Sequence, residues 1–260
     1  MKKLDPGFDI VPHFDPLGFE YGKNCFGPKV EHRSLNSIRP SLRDPKCHGP
    51  EIVYAIAMDV GKNEHRELLQ KRHLLYGAVI YAAGNLGDEP IRSQGHIHRR
   101  STFAQGWSTP EIYEIWSGKA VIYMQETAND NPGRCYAVHA MAGEVVIVPP
   151  GWAHATISAD PNEALSFGAW CDRDYGFEYD QVREHQGLAW YPILKSGKLD
   201  WQYNARYKRQ KLIEKIPEKY ADFGLIQNTP IYSQFENCPK TFDFVSRPDK
   251  VKGLWNLFLP

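Results

Sequence analysis

No part of this 260-residue chain offers the uninterrupted apolar run, roughly 18 residues long, that a membrane helix needs. The amino terminus, MKKLDPGFDIVPHFDP, opens basic but then meets Asp, Pro and Gly, with no apolar stretch of the kind a secretory signal carries. Charge of one sign is also missing. The 31 Lys+Arg balance the 31 Asp+Glu, which removes the electrostatic reason to expect nucleic acid or an anionic membrane as partner. Cysteine is sparse: Cys25, Cys47, Cys135, Cys171 and Cys238 are scattered, odd in number and never in a C-x-x-C pair. That usage argues against a disulfide scaffold and suits free thiols in a reducing cytoplasm. There are no internal repeats and no low-complexity segments. What remains is a globular composition with aromatic residues spread along its length.

Hydrophobic patterning divides the chain into three. Residues 1–48 are rich in Pro, Gly and charge and read as an arm wrapping on a core. Residues 49–176 hold a succession of short strand candidates, at 51–57, 74–81, 112–116, 120–125, 134–141, 144–148, 154–158 and 164–170. Ser117-Gly118-Lys119 has the composition of a hairpin turn between two of them. Strands this short and regularly spaced predict an all-β barrel or sandwich. Residues 177–260 form an extension. In it, 177–185 suggest a short helix, 188–203 a hairpin about Lys195-Ser-Gly-Lys198, and 205–220 a basic, solvated helix broken near Pro217.

The chemistry concentrates in the middle segment. Gly95-His-Ile-His places His96 and His98 two apart, and in a strand residues i and i+2 share a face. Alone, the pair is also what an ordinary strand carries. Glu111, Tyr113 and Ile115 share a face of the following strand, and His154 opens a third after Val-Pro-Pro-Gly-Trp-Ala. Three imidazoles and one carboxylate suit a first-row divalent ion such as Fe, Mn, Zn or Ni. Glu114 competes as the carboxylate but lies on the opposite strand face. Only Glu111 stands six residues before a glycine, Gly118.

These spacings resemble the two cupin motifs, G-x5-H-x-H-x3-4-E-x6-G and G-x5-P-x-G-x2-H-x3-N. The second is matched from Gly143 to His154, with Ser158 in place of its Asn. The first departs by twelve residues between His98 and Glu111, RRSTFAQGWSTP, an insert able to loop out. A cupin-type fold is implied: a small antiparallel β-barrel, the jelly-roll-like double-stranded β-helix.

A narrower resemblance follows from YGAVIYAAGNLGDEPIRSQGHIH (76–98), PEIYEIWSGKAVIYMQ (110–125), AGEVVIVPPGWAHATIS (142–158) and Asp174-Tyr-Gly. These runs resemble the cupin-type glucose-6-phosphate isomerases of archaea and some bacteria. The resemblance extends over roughly residues 38–245. It implies an aldose–ketose isomerase of glucose 6-phosphate and fructose 6-phosphate, cytoplasmic and homodimeric, with one divalent metal per chain, iron foremost. His96, His98, Glu111 and His154 match the family's metal ligands. Tyr113 matches an active-site tyrosine, with Glu111 the candidate proton carrier. Ser93 and Gly95 match residues that hold the sugar phosphate, which requires a bulge near Gly95, because Ser93 would otherwise point away from His96.

Two departures bear on specificity. Val79 stands where the family's pattern often has a phosphate-contacting threonine, and Gly151 where some relatives have a tyrosine. A valine donates no hydrogen bond, a loss of about 1.5–3 kcal/mol where the partner is charged. Arg92, Arg99 and Arg100 are candidate substitutes. The alternatives are a cupin enzyme acting on another sugar or sugar acid, a metal-dependent oxygenase, and a non-enzymatic sugar-binding cupin.

Overall fold

The computed structural model describes residues 3–260. Its centre is two β-sheets. The larger has six strands in the order Val145–Val148, Glu111–Ser117, Leu165–Asp172, Leu74–Tyr81, Ile52–Met58, Glu31–Ser34, all antiparallel. The smaller runs Ala153–Ser158, Lys119–Gln125, Cys135–Met141, Leu212–Lys215, the last pair being parallel. Alternate residues of both sheets meet between them. Tyr113, Ile115, Phe167 and Ala169 of the larger sheet join one buried cluster with Ala120, Ile122, Met124, Tyr136 and Val138 of the smaller.

Both outer faces are covered as well. Ile112, Trp116, Tyr76 and Trp170 point away from the central core into a second cluster. That cluster is completed by the C-terminal helical segment, through Ile231, Tyr232, Phe235, Phe242 and Val245, and by Phe8. Trp170 stacks on Tyr232 at 5.7 Å, with the rings 15° from parallel. On the smaller sheet, Val121, Tyr123, Ala137 and Ala155 pack under Val182, Leu188, Tyr207 and the hairpin of Trp190–Lys195 with Lys198–Tyr203. Double coverage explains why Glu111–Ser117 and Leu165–Asp172 are buried along their whole length. Truncating a fully buried aromatic such as Trp170 to alanine should cost about 3–5 kcal/mol.

Four expectations change. The small barrel does not close: the two sheets face each other but are hydrogen-bonded separately. Ser117-Gly118-Lys119 is accordingly a corner, not a hairpin, because Glu111–Ser117 and Lys119–Gln125 belong to different sheets. Gly118 makes the corner with φ of +83°, and a Cβ there would lie 2.8 Å from the Ala164 carbonyl oxygen. The helix expected over 205–220 is absent, since Leu212–Lys215 instead satisfies the open backbone edge of Cys135–Met141. Within 177–185 only Asp180–Glu184 is helical, preceded by the short strand Phe177–Glu178, which pairs with Ile97–His98. Short helices elsewhere, among them Arg66–Lys71 and Ile231–Asn237, give the chain a mixed character around the β centre.

Candidate metal centre

Strand register brings the candidate ligands to one end of the space between the sheets. His154 opens Ala153–Ser158 opposite Met124, and its backbone exchanges two hydrogen bonds with His96, at 2.9 and 3.0 Å. His98 lies two residues on, with the His96 and His98 rings stacked at 5.2 Å. Glu111 begins the facing strand and points inward. One ligand atom from each of His96, His98, Glu111 and His154 lies within 4.8 Å of the others. Glu111 Oε2 is 3.2 Å from His98 Nε2 and 3.3 Å from His154 Nε2.

The outer nitrogens are fixed by the backbone. His98 Nδ1 is 3.0 Å from the Thr109 carbonyl oxygen, and His154 Nδ1 is 3.1 Å from that of Trp152. Each carbonyl accepts from Nδ1–H, which leaves Nε2 with its lone pair toward the centre, as a ligating imidazole requires. His96 Nε2 and His98 Nε2 are buried and have no hydrogen-bond partner among the described residues. A buried polar atom without a partner costs about 1–3 kcal/mol, a cost that a metal bond removes. The residues present therefore fit a divalent ion.

Protonation favours the same state. Burial raises the Glu111 carboxyl, but the His154 and His98 imidazoles beside it outweigh burial and hold the group well below its ordinary range. Burial drives His96 well below the ordinary imidazole range, helped by His154 and His98, and burial also lowers His154. The Tyr113 hydroxyl donates to Glu111 Oε2 at 2.6 Å, and the Cys171 thiol donates to Oε1 at 3.2 Å. Burial pushes Tyr113 well above its ordinary value, so it stays a donor.

A pocket opens beside two of the ligands, His96 and Glu111. His96, Glu111 and Tyr113 form one wall, Ser93, Gln94, Thr156, Tyr54 and Tyr179 supply polar groups, and Val79, Ile56, Phe167 and Phe177 supply apolar ones. Ser93 reaches this wall through a bulge. Ser93 sits opposite Thr156 and His96 opposite His154, three residues against two, with Gly95 at φ +86° between them. Ser93 Oγ accepts from the Thr156 backbone N–H at 3.1 Å. Gly95 does not line the pocket; a Cβ there would point away from it, 2.9 Å from Leu188.

The arginines proposed as substitutes for the missing hydroxyl are not arranged to serve. Arg92 is buried and engages Glu89 at 2.6 Å and the carbonyl oxygens of Ser41 and Ser93. Arg99 and Arg100 are exposed, and Arg100 is occupied with the Gly106 carbonyl. Glu114 faces the second cluster, away from the imidazoles. Sequence reasoning missed Cys171, Thr156, Tyr54 and Tyr179. Tyr54 and Cys171 lie in strands without a motif, Thr156 is two residues past the motif's histidine and was not singled out, and Tyr179 lies just after the short strand Phe177–Glu178.

The family model for glucose-6-phosphate isomerase matches residues 41–210, which include the whole of this site. The chain belongs to the glucose-6-phosphate isomerase family. A glucose-6-phosphate isomerase of Sinorhizobium medicae (strain WSM419) is 26% identical over 180 residues, spanning 69% of this chain and 73% of that protein. One from Pyrococcus abyssi (strain GE5 / Orsay) is 28% identical over 200 residues, 75% of this chain and 98% of that one. Among solved structures, a vicilin from Capsicum annuum aligns with a TM-score of 0.34 at 13% identity, covering 48% of this chain and 30% of that one. The residues of this chain outside the family match include the edge strand Glu31–Ser34 and the C-terminal helical segment that covers the larger sheet.

Proposed function

We propose that this chain is a metal-dependent aldose–ketose isomerase interconverting glucose 6-phosphate and fructose 6-phosphate. The observation that carries the reading is the convergence, inside the family's matched region, of three imidazoles and one carboxylate beside a pocket with hydroxyl groups. The ion is taken as iron, with Mn, Zn or Ni also suited to three nitrogens and one oxygen. The fold is read as a cupin-type double-stranded β-helix, the working form as a cytoplasmic homodimer, and the sequence divisions at residues 48 and 176 as its arm and extension. The free cysteines accord with a reducing compartment.

A divalent ion held by His96, His98, Glu111 and His154 supplies Lewis-acid stabilisation of negative charge on substrate oxygens. Glu111, kept ionised, is the group assigned to take the proton from C2 of the open-chain sugar and return it at C1. Tyr113 holds that carboxylate through its 2.6 Å hydrogen bond and can present its hydroxyl to a substrate oxygen. Ser93 and Thr156 offer hydroxyl groups for the remainder of the sugar phosphate. Val79, Phe167 and Phe177 keep water from that side of the pocket. A direct C2-to-C1 hydride shift uses the same residues, with the carbon-bound hydrogen passing straight from C2 to C1 and the only proton moved being the one from the C2 hydroxyl to the C1 oxygen. Retention of C2 deuterium in the product would exclude the proton route, and full exchange with solvent would exclude the shift.

A second reading, a related sugar or sugar acid as substrate, is favoured by one observation: Val79 lines the pocket and gives it no hydroxyl. Turnover of fructose 6-phosphate, compared with fructose, mannose 6-phosphate and sugar acids, tests the choice. Preference for fructose 6-phosphate supports the first reading. Faster turnover of an unphosphorylated sugar, with fructose 6-phosphate inert, replaces it with the second.

A further inference from the structure

We propose that His73, Asp172 and Asp174 form a second divalent-cation site, separate from the His96–Glu111 centre, which ties the insert between His98 and Glu111 to the larger sheet. One ligand atom from each of the three lies within 4.8 Å of the others. The site is built from parts far apart in sequence. Asp172 ends the strand Leu165–Asp172 opposite Leu74, which places His73, the residue before Leu74, beside it. Cys171 points inward to Glu111, so by strand alternation Asp172 points to the outer face.

Two features at this site repeat those of the first. Asp172 is 1% exposed; its Oδ1 accepts from the Asp174 backbone N–H at 2.9 Å, while its buried Oδ2 has no partner among the described residues. His73 Nε2 is likewise buried without a hydrogen bond, although Asp174 Oδ1 is only 2.8 Å away. An imidazole nitrogen and two carboxylate oxygens at such separations are a donor set for Mn, Fe or Zn. Two carboxylates facing one imidazole also leave an excess of negative charge that a cation would offset. The nearest guanidinium in sequence does not supply it, since Arg173 is engaged with Asp59 at 2.7 and 2.9 Å and with the Leu74 carbonyl.

The insert reaches this cluster directly. Ser101 Oγ donates to Asp174 Oδ2 at 3.1 Å, and Phe103 stacks on the His73 ring at 4.2 Å, 14° from parallel. Residues 99–110 are the departure from the cupin spacing, and the chain enters the insert from one ligand, His98, and leaves it for another, Glu111. A cation at His73, Asp172 and Asp174 braces that connection. A third grouping, Glu64, His65 and Glu236, lacks these features: Lys62 already pairs with Glu236, and His65 Nδ1 meets the Tyr232 hydroxyl at 3.1 Å.

The test is metal content per folded chain after equilibrium dialysis of the full-length protein against Mn2+. The wild type should bind two ions. Asp172→Asn and, separately, the more exposed Asp174→Asn should each bind one, with at least a tenfold weaker second affinity. His154→Ala should lose the other ion and keep this one. Circular dichroism identifies any variant that fails to fold, and Asp174→Asn then decides. A wild type that takes up one ion, lost in His154→Ala, overturns the proposal, as does a folded Asp174→Asn that still binds two with unchanged affinity.

Discussion

Glu111 and Glu114 lie three residues apart in one strand, both buried, and the fold gives them opposite charge states. Glu111 faces the space between the sheets, where two imidazoles and the Tyr113 hydroxyl contact its Oε2. Glu114 faces the second cluster, where Oε1 accepts from the Ile231 backbone N–H at 2.8 Å and Oε2 has no partner among the described residues. Burial pushes Glu114 up to about 8, because the Ile231 hydrogen bond and the nearby Trp116 indole do not offset it. Desolvation acts on both carboxyls, and the neighbours decide the outcome. The inner face is arranged to keep a carboxylate charged for a cation, the outer face to keep a carboxylic acid neutral in a packed core.

The sharpest way to break this comparison is to neutralise each carboxyl in turn. Glu111→Gln should lose metal and lower isomerase turnover by at least about 10³-fold, since both proton transfer and ion binding depend on it. Glu114→Gln should keep its metal and stay within a few-fold of wild-type turnover. Metal analysis and kcat on both variants check the pair; equal losses would collapse the distinction between the faces. Next in size is Tyr113→Phe. Loss of a hydrogen bond to a charged group, about 1.5–3 kcal/mol, should lower kcat by about 10- to 100-fold with metal content unchanged. Loss of metal from that variant would instead make Tyr113 a support of the ligand set.

Stability against pH should separate the two faces without any substrate. His96 and His154 are held below the ordinary imidazole value, so the chelated protein should lose stability as pH falls below about 6.5, where the unfolded chain takes up protons first. Glu114 is shifted upward and acts in the other direction. Its contribution is fully present below the unfolded carboxyl value and is lost as pH rises toward about 8. Urea denaturation between pH 5 and 8 should show a loss on the order of 1–3 kcal/mol from this source, absent in Glu114→Gln. The smallest expected effect is at Val79. Val79→Thr should lower KM for fructose 6-phosphate by a few-fold, about 1 kcal/mol, with kcat little changed. An unchanged KM would mean the sugar phosphate does not lie against this wall.

Much of the inner face was legible because strand periodicity is strict. Gly95-His-Ile-His, Glu111 with Tyr113, and the Pro-Gly-Trp-Ala-His turn each put functional atoms on one face by counting in twos. The requirement for a bulge at Gly95 could be deduced from the same counting, and the extra residue stands between Ser93 and His96. What could not be read depends on which strands become neighbours. Glu31–Ser34 is four charged or polar residues, with no alternation to mark it, yet it forms the edge of the larger sheet. Leu212–Lys215 sits within a basic run whose composition suits a helix and pairs only because an edge is open. Gly118 has the local chemistry of a hairpin, and nothing in its flanks tells that the two strands enter different sheets. Cys171 and Asp172 lie in a run buried on both faces, so their opposite directions emerge only from the pairing with Leu74–Tyr81.

The most direct test of the account is a coupled assay converting fructose 6-phosphate to glucose 6-phosphate, run on the purified protein before and after chelation and again with divalent ions restored. Turnover should vanish with the metal and return with it, and should not return to Glu111→Gln. Full turnover in metal-free protein would contradict the account, and so would a protein that holds its ion through Glu111 yet leaves fructose 6-phosphate unchanged.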